Sequence, residues 1–177
     1  MSAAKHCHED HCHEGHRESR YRTAGTRTPD GLWTCDTCGR KFGRTRQAHE
    51  CAPALSIEEY FSTGPPWERP IFDAVRPIVE GFGPVYIEPV SVGIFLKRVR
   101  TFAQLRTKTR WVALSFTLPY DVADRRISRK VVGGPGYRHH VVNLREPEEV
   151  DSKVAEWLEV AYEAATWHTA ESGLPDT

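Results

Sequence analysis

The chain has 177 residues, with 24 basic and 24 acidic side chains and a formal net charge of zero at pH 7. That length suits one ordinary domain plus a small appendage, and the neutral total removes any whole-chain electrostatic argument for nucleic acid or a membrane surface. No apolar run approaches the ~20 residues of a membrane span, and no apolar signal region opens the sequence.

Residues 1–31 are polar and carry almost no large apolar side chain besides Tyr21, so they are expected to be a disordered tail. Within them runs a biased tract of soft and borderline donors, His6, Cys7, His8, His11, Cys12, His13 and His16. Such a tract offers weak, exchangeable binding to zinc, copper or nickel, although it lacks the fixed spacing of a structural site.

Residues 32–53 carry the strongest chemical signal. In Cys35-Asp36-Thr37-Cys38-Gly39-Arg40-Lys41-Phe42 two cysteines flank a turn. Gly39 can take the positive φ which that turn needs, and Phe42 can pack beneath a bound ion. His49 and Cys51 complete a Cys₃His set for one structural Zn²⁺, whose binding would supply the folding energy that so short a segment lacks. The two late ligands are only two residues apart, which suits an extended or turn-like segment. The base-reading helix of a two-Cys two-His finger is therefore not expected. A dithiol redox motif is the chemical rival, but the flanking sequence lacks its βαβ context. All five cysteines fall at or before Cys51. An odd count beside histidines fits a reducing compartment, so the protein is expected to be cytoplasmic, without a membrane partner.

Residues 54–170 read as the main domain, with 171–177 as a flexible end. Ser56 and Glu59 form a capping-box pattern for a short helix over Ile57 to Phe61. A second helix carries Trp67, Ile71, Phe72, Val75, Ile78, Val79 and Phe82 on its apolar side, and Pro77 predicts a kink or a break into two pieces. From Pro84 the period changes to two, predicting strands at Val85–Pro89, Gly93–Lys97, Thr101–Thr107, Trp111–Leu118, Ile127–Val132 and Tyr137–Leu144. A last helix is expected from near Pro147, with Val150, Val154, Trp157, Leu158, Ala161, Tyr162 and Ala165 on one stripe. The expected class is α+β: a two-layer sandwich in which an antiparallel meander of five or six strands has the N- and C-terminal helices on one face, plus the zinc knuckle.

Strand alternation turns Val112, Leu114, Phe116 and Leu118 toward the helices. On the opposite face it leaves Trp111, Ser115, Tyr137, His139 and Asn143, a candidate ligand or partner face, with Lys97 and Arg129 at its edges. Adjacent His139 and His140 point to opposite faces and cannot act as a pair. In the knuckle, Arg40, Lys41, Arg44 and Arg46 are candidate phosphate contacts. Charge is also divided along the chain. Lys97, Arg98, Arg100, Arg106, Lys108 and Arg110 occur together without an acid, whereas the last helix and its approach are rich in Glu.

Several runs together resemble one family. They are Ser56-Ile57-Glu58-Glu59-Tyr60-Phe61 with Pro65-Pro66, Arg100-Thr101-Phe102-Ala103-Gln104-Leu105 with Trp111-Val112-Ala113-Leu114, and His140-Val141-Val142-Asn143-Leu144 with Pro147-Glu148-Glu149-Val150-Asp151. The resemblance is to the bacterial domain of unknown function numbered 5655, over about residues 56–168, some members of which carry a similar knuckle. It brings no catalytic or ligand residues with it. Three functions therefore stand. The first is a non-enzymatic binding or adaptor module with structural zinc, touching nucleic acid or another protein. The second is a metal-handling protein using the His/Cys tail. The third is an enzyme with its site on the open sheet face, although no nucleophile elbow, phosphate loop or hydrolase motif is present.

Overall fold

The computed structural model describes residues 24–29, 31–134 and 136–166. The His/Cys tract and the C-terminal 171–177 segment lie outside the described residues.

Three short strands, β1 (Gly25–Arg27), β2 (Trp33–Cys35) and β3 (Lys41–Phe42), make an antiparallel sheet in that order. The knuckle therefore begins earlier than the sequence suggested, because β1 falls inside the stretch expected to be disordered. A Cβ on Gly25 would stand 2.2 Å from the Trp33 ring, so the indole packs directly on a bare backbone. This contact leaves no apolar signal in β1 itself.

The larger domain opens with α1 (Ile57–Phe61), which carries the expected capping box: Ser56 accepts from the Glu59 amide while the Glu59 carboxylate accepts from the Ser56 amide. Next comes α2 (Glu68–Gly81), a single helix that continues through Pro77 rather than dividing there. Burial of Ile71, Phe72, Val75 and Val79 along one stripe offsets the hydrogen bond that proline withholds from the carbonyl four residues back. Trp67 is not on that stripe; it occupies the N-cap position and is exposed.

Six strands follow: β4 (Tyr86–Val90), β5 (Gly93–Lys97), β6 (Thr101–Thr107), β7 (Val112–Leu118), β8 (Ile127–Gly134) and β9 (Tyr137–Leu144). All pair antiparallel, in the order β4-β5-β6-β7-β9-β8. The meander thus holds through β7, after which the final hairpin is reversed and β9 inserts between β7 and β8. Pro89 is tolerated because β4 is an edge strand, and the Pro89 carbonyl there accepts the Leu55 amide. The final helix starts later than the Pro147 signal implied. Pro147–Glu149 form a 3₁₀ turn, and α3 (Ser152–Ala164) begins after Asp151, whose carboxylate caps the Val154 amide.

The expected α+β architecture is present. Helix α3 lies against β6 and β7, with α2 beside it. Between these helices and the sheet sit Phe116, Leu114, Leu118, Val142, Trp157 and Leu158. Phe116 stacks on Trp157 at a centroid distance of 5.6 Å. The β7–β8 connection adds Val122 to this core, and its amide donates to His140 Nε2 at 3.1 Å. No helix among the described residues is long and apolar enough to cross a membrane.

Candidate metal centre and the adjoining cleft

The tight turn after Cys35 is closed by the Gly39 amide donating to the Cys35 carbonyl at 2.8 Å, with Gly39 at φ +70° as the sequence required. This turn aims Cys35 and Cys38 the same way. The chain then returns through residues 47–56 without helix or strand, and Arg46 at φ +53° turns it back toward the cysteines. The ligand atoms of Cys35, Cys38, His49 and Cys51 all lie within 4.8 Å of one another.

Their spacing fits a tetrahedral ion. Bonds of about 2.3 Å to sulfur place neighbouring thiolates about 3.8 Å apart, and Cys35 Sγ lies 3.8 Å from Cys51 Sγ. Cys38 Sγ is 3.3 Å from His49 Nε2. The other imidazole nitrogen, Nδ1, lies 2.7 Å from the Gln47 carbonyl. A carbonyl only accepts, so Nδ1 carries the proton and Nε2 presents its lone pair to the ion. Burial and the neighbouring Cys35 and Cys38 thiols push the Cys51 thiol up to about 11. The Cys51 thiol therefore gives up its proton most readily when a cation takes its place. Trp33 and Phe42 form the floor, and Phe42 lies 4.3 Å from the His49 ring, centroid to centroid. The cluster can hold one metal ion.

The knuckle is fastened to the sheet by charges that alternation alone would place on an open face. Glu88 of β4 and Lys97 of β5 are buried, at 0% and 4% relative exposure. Glu88 Oε2 accepts from Lys97 Nζ at 2.5 Å and from Arg40 at 3.0 Å. Lys97 Nζ also donates to the Lys41 carbonyl at 2.7 Å, and it lies 4.8 Å from the Phe42 ring centroid. Burial holds the Lys97 ammonium below its ordinary range, although Glu88 acts in the opposite direction.

Two of the four candidate phosphate contacts are thereby turned inward. Arg40 pairs with Glu88, and the Lys41 ammonium lies over the Tyr86 ring at 5.3 Å. Arg44 and Arg46 remain exposed. Lys97, expected at the edge of a ligand face, is covered for the same reason.

The open face of the remaining strands does not gather into one site. Trp111 precedes β7, whereas Tyr137 and His139 lie toward the opposite end of the β7–β9 pair, where Thr117 faces His139. At about 3.4 Å per residue, Trp111 and Thr117 are about 20 Å apart. Ser115 donates to the Gln104 carbonyl at 3.3 Å within the sheet. Asn143 faces Ala113 across the β7–β9 ladder, between these two ends. Thr117 Oγ1 and His139 Nδ1 are 2.7 Å apart, but among the described residues no carboxylate pairs with His139. His140, on the other face, is fully buried and stacks on Phe116 at 5.8 Å, serving the core.

What the sequence did not reveal is a cleft between knuckle and sheet. A cavity of about 420 Å³ is lined by Arg40, Phe42, Glu88, Phe95, Lys97 and Arg100 among others. It adjoins a second cavity of about 440 Å³ that shares Arg44, Arg100 and Thr101 and reaches Tyr137, His139 and the end of α3. Arg100 spans the junction. Its Nη2 donates to Tyr137 Oη at 2.9 Å and to the Ala164 carbonyl at 2.6 Å, and its guanidinium lies 4.7 Å from the Tyr137 ring centroid.

Fold and site together define a small α+β sandwich capped by a knuckle whose Cys₃His cluster could hold a metal ion. Residues 57–165 match the family described as a domain of unknown function (DUF5655), and the chain belongs to it. No curated protein and no solved structure matches the chain.

Proposed function

We propose that this protein is a non-catalytic binding module in which one structural zinc folds the knuckle, and that its ligand is single-stranded nucleic acid. The zinc assignment rests on the donor set. Three thiolates and one imidazole at tetrahedral spacing suit a closed, redox-inert ion, and no protein ligand position is left open for chemistry. The nucleic-acid reading rests on the cleft. Arg44 and Arg100 stand at it, and the one carboxylate among its lining residues, Glu88, is already paired with Arg40 and Lys97. Its excess positive charge therefore faces whatever enters. Arg106, Lys108 and Arg110 stand at the other end of β6, outside the cleft, and the acidic exposed side of α3 discourages wrapping by a duplex.

Full-length protein should carry one zinc per chain, and Cys35→Ser should lose it. Stoichiometric zinc surviving that substitution would overturn the site. Zinc-loaded protein should also bind a single-stranded oligonucleotide with an affinity that falls steeply with salt. Equal affinity at low and high salt, or none at low salt, would overturn the ligand class.

A further inference from the structure

The geometry points to the cleft between knuckle and sheet as a mononucleotide pocket, with the base against Phe95 and Glu88 and the phosphate held by Arg44 and Arg100. This inference deepens the nucleic-acid reading and rests on it for its ligand class.

The argument is an inventory of donors and acceptors. Both Arg40 and Lys97 bond to Glu88 Oε2, and Glu88 Oε1 has no hydrogen-bond partner in the protein although the side chain is fully buried. A carboxylate oxygen in that position calls for an N–H from a ligand. Beside it, the Lys97 ammonium has three donors and spends two of them, on Lys41 O and Glu88. Arg40 Nε is likewise buried without a partner. All three residues line the cavity, so a base whose edge carries both an amino group and a carbonyl or ring nitrogen matches the acceptor and donors set just behind its wall.

Phe95 contributes a half-buried ring to the same cavity, offering a surface for stacking. At the outer end Arg100 uses one nitrogen for Tyr137 and Ala164 and keeps further N–H groups for an anion. Arg44 is exposed and forms no ion pair among the described residues. Two guanidiniums at the mouth and a polar aromatic floor fit a phosphate and a base respectively. A simple anion would leave the Glu88 oxygen unsatisfied and gain nothing from Phe95.

The test uses full-length, zinc-loaded protein, titrated by calorimetry with CMP, UMP, AMP, GMP, ribose 5-phosphate and inorganic phosphate. An amino-bearing nucleotide should bind at least about tenfold more tightly than ribose 5-phosphate or phosphate, as stacking plus one base-edge bond implies. Arg44→Ala should weaken that nucleotide without lowering the melting temperature, and Phe95→Leu should erase its advantage over ribose 5-phosphate. Equal affinity for phosphate and nucleotide, or no nucleotide binding at about 10 mM, overturns the pocket. Oligonucleotide binding measured in parallel separates the two claims. If the oligonucleotide binds but no mononucleotide competes and Arg44→Ala has no effect, the pocket is wrong and the broader reading stands. If only mononucleotides bind, the pocket stands and the strand-binding reading fails.

Discussion

Replacing Glu88 by Gln would test the joint between knuckle and sheet. The substitution keeps the side-chain shape but leaves Lys97 and Arg40 facing one another without their shared carboxylate. Removing one partner of a buried pair costs about 3–5 kcal/mol. Arg40 retains some solvent access, with 11% of its side chain exposed, so the lower end applies and the expected loss is about 3 kcal/mol. For a chain of this size that is a fall of about 6–12 °C in melting temperature. Denaturant titration of zinc-loaded protein, with zinc content checked on each variant, would measure it. The double variant Glu88→Leu with Lys97→Met should lose less than the sum of the two single variants, by about 1–3 kcal/mol, because no buried ammonium is left uncompensated and only the partly exposed Arg40 loses its partner. A loss below about 0.5 kcal/mol for Glu88→Gln, or strict additivity in the double variant, would show that the cluster is solvated and does not fasten the knuckle.

Burial holds the His140 pKa below its ordinary value of 6.5, and its Nε2 accepts the Val122 amide only while neutral. The unfolded chain therefore binds the proton more readily. This contribution is complete above about pH 6.5 and is lost as pH falls through the folded-state value. Stability measured from pH 8 to pH 5 should show this decline, and His140→Leu should flatten it; an unchanged profile would refute the assignment. Pro77 is exposed within α2 and supplies no amide to the carbonyl of Asp73. Pro77→Ala should stabilise the protein by about 2 kcal/mol in denaturant titration, and a destabilised variant would mean that the ring packs usefully.

Local signals explain much of what the sequence determined. The Cys₃His cluster was readable because a tetrahedral ion demands particular donors at short spacing, and the structure brings those four side chains together. The capping box at Ser56 was readable because both of its bonds join residues three apart. The six strands and the α3 stripe followed from periodicity, and the match over residues 57–165 agrees with the recognised runs. Polar residues made buried by distant partners were not readable. Arg40 and Glu88 are far apart in the chain, and only docking of the knuckle makes Glu88 and Lys97 interior. Strand β1 was missed because its stability comes from the Trp33 ring rather than from its own side chains. The insertion of β9 between β7 and β8 was equally hidden, since alternation fixes which face a residue takes but not which neighbour its strand chooses. The sequence alone therefore determined the membership of the Cys₃His cluster and the periodic elements, both local properties. Tertiary structure decided that the knuckle covers β4 and β5, and with that the existence of a basic cleft with an unpaired carboxylate oxygen. That cleft is made by two surfaces meeting, and neither surface carries it alone.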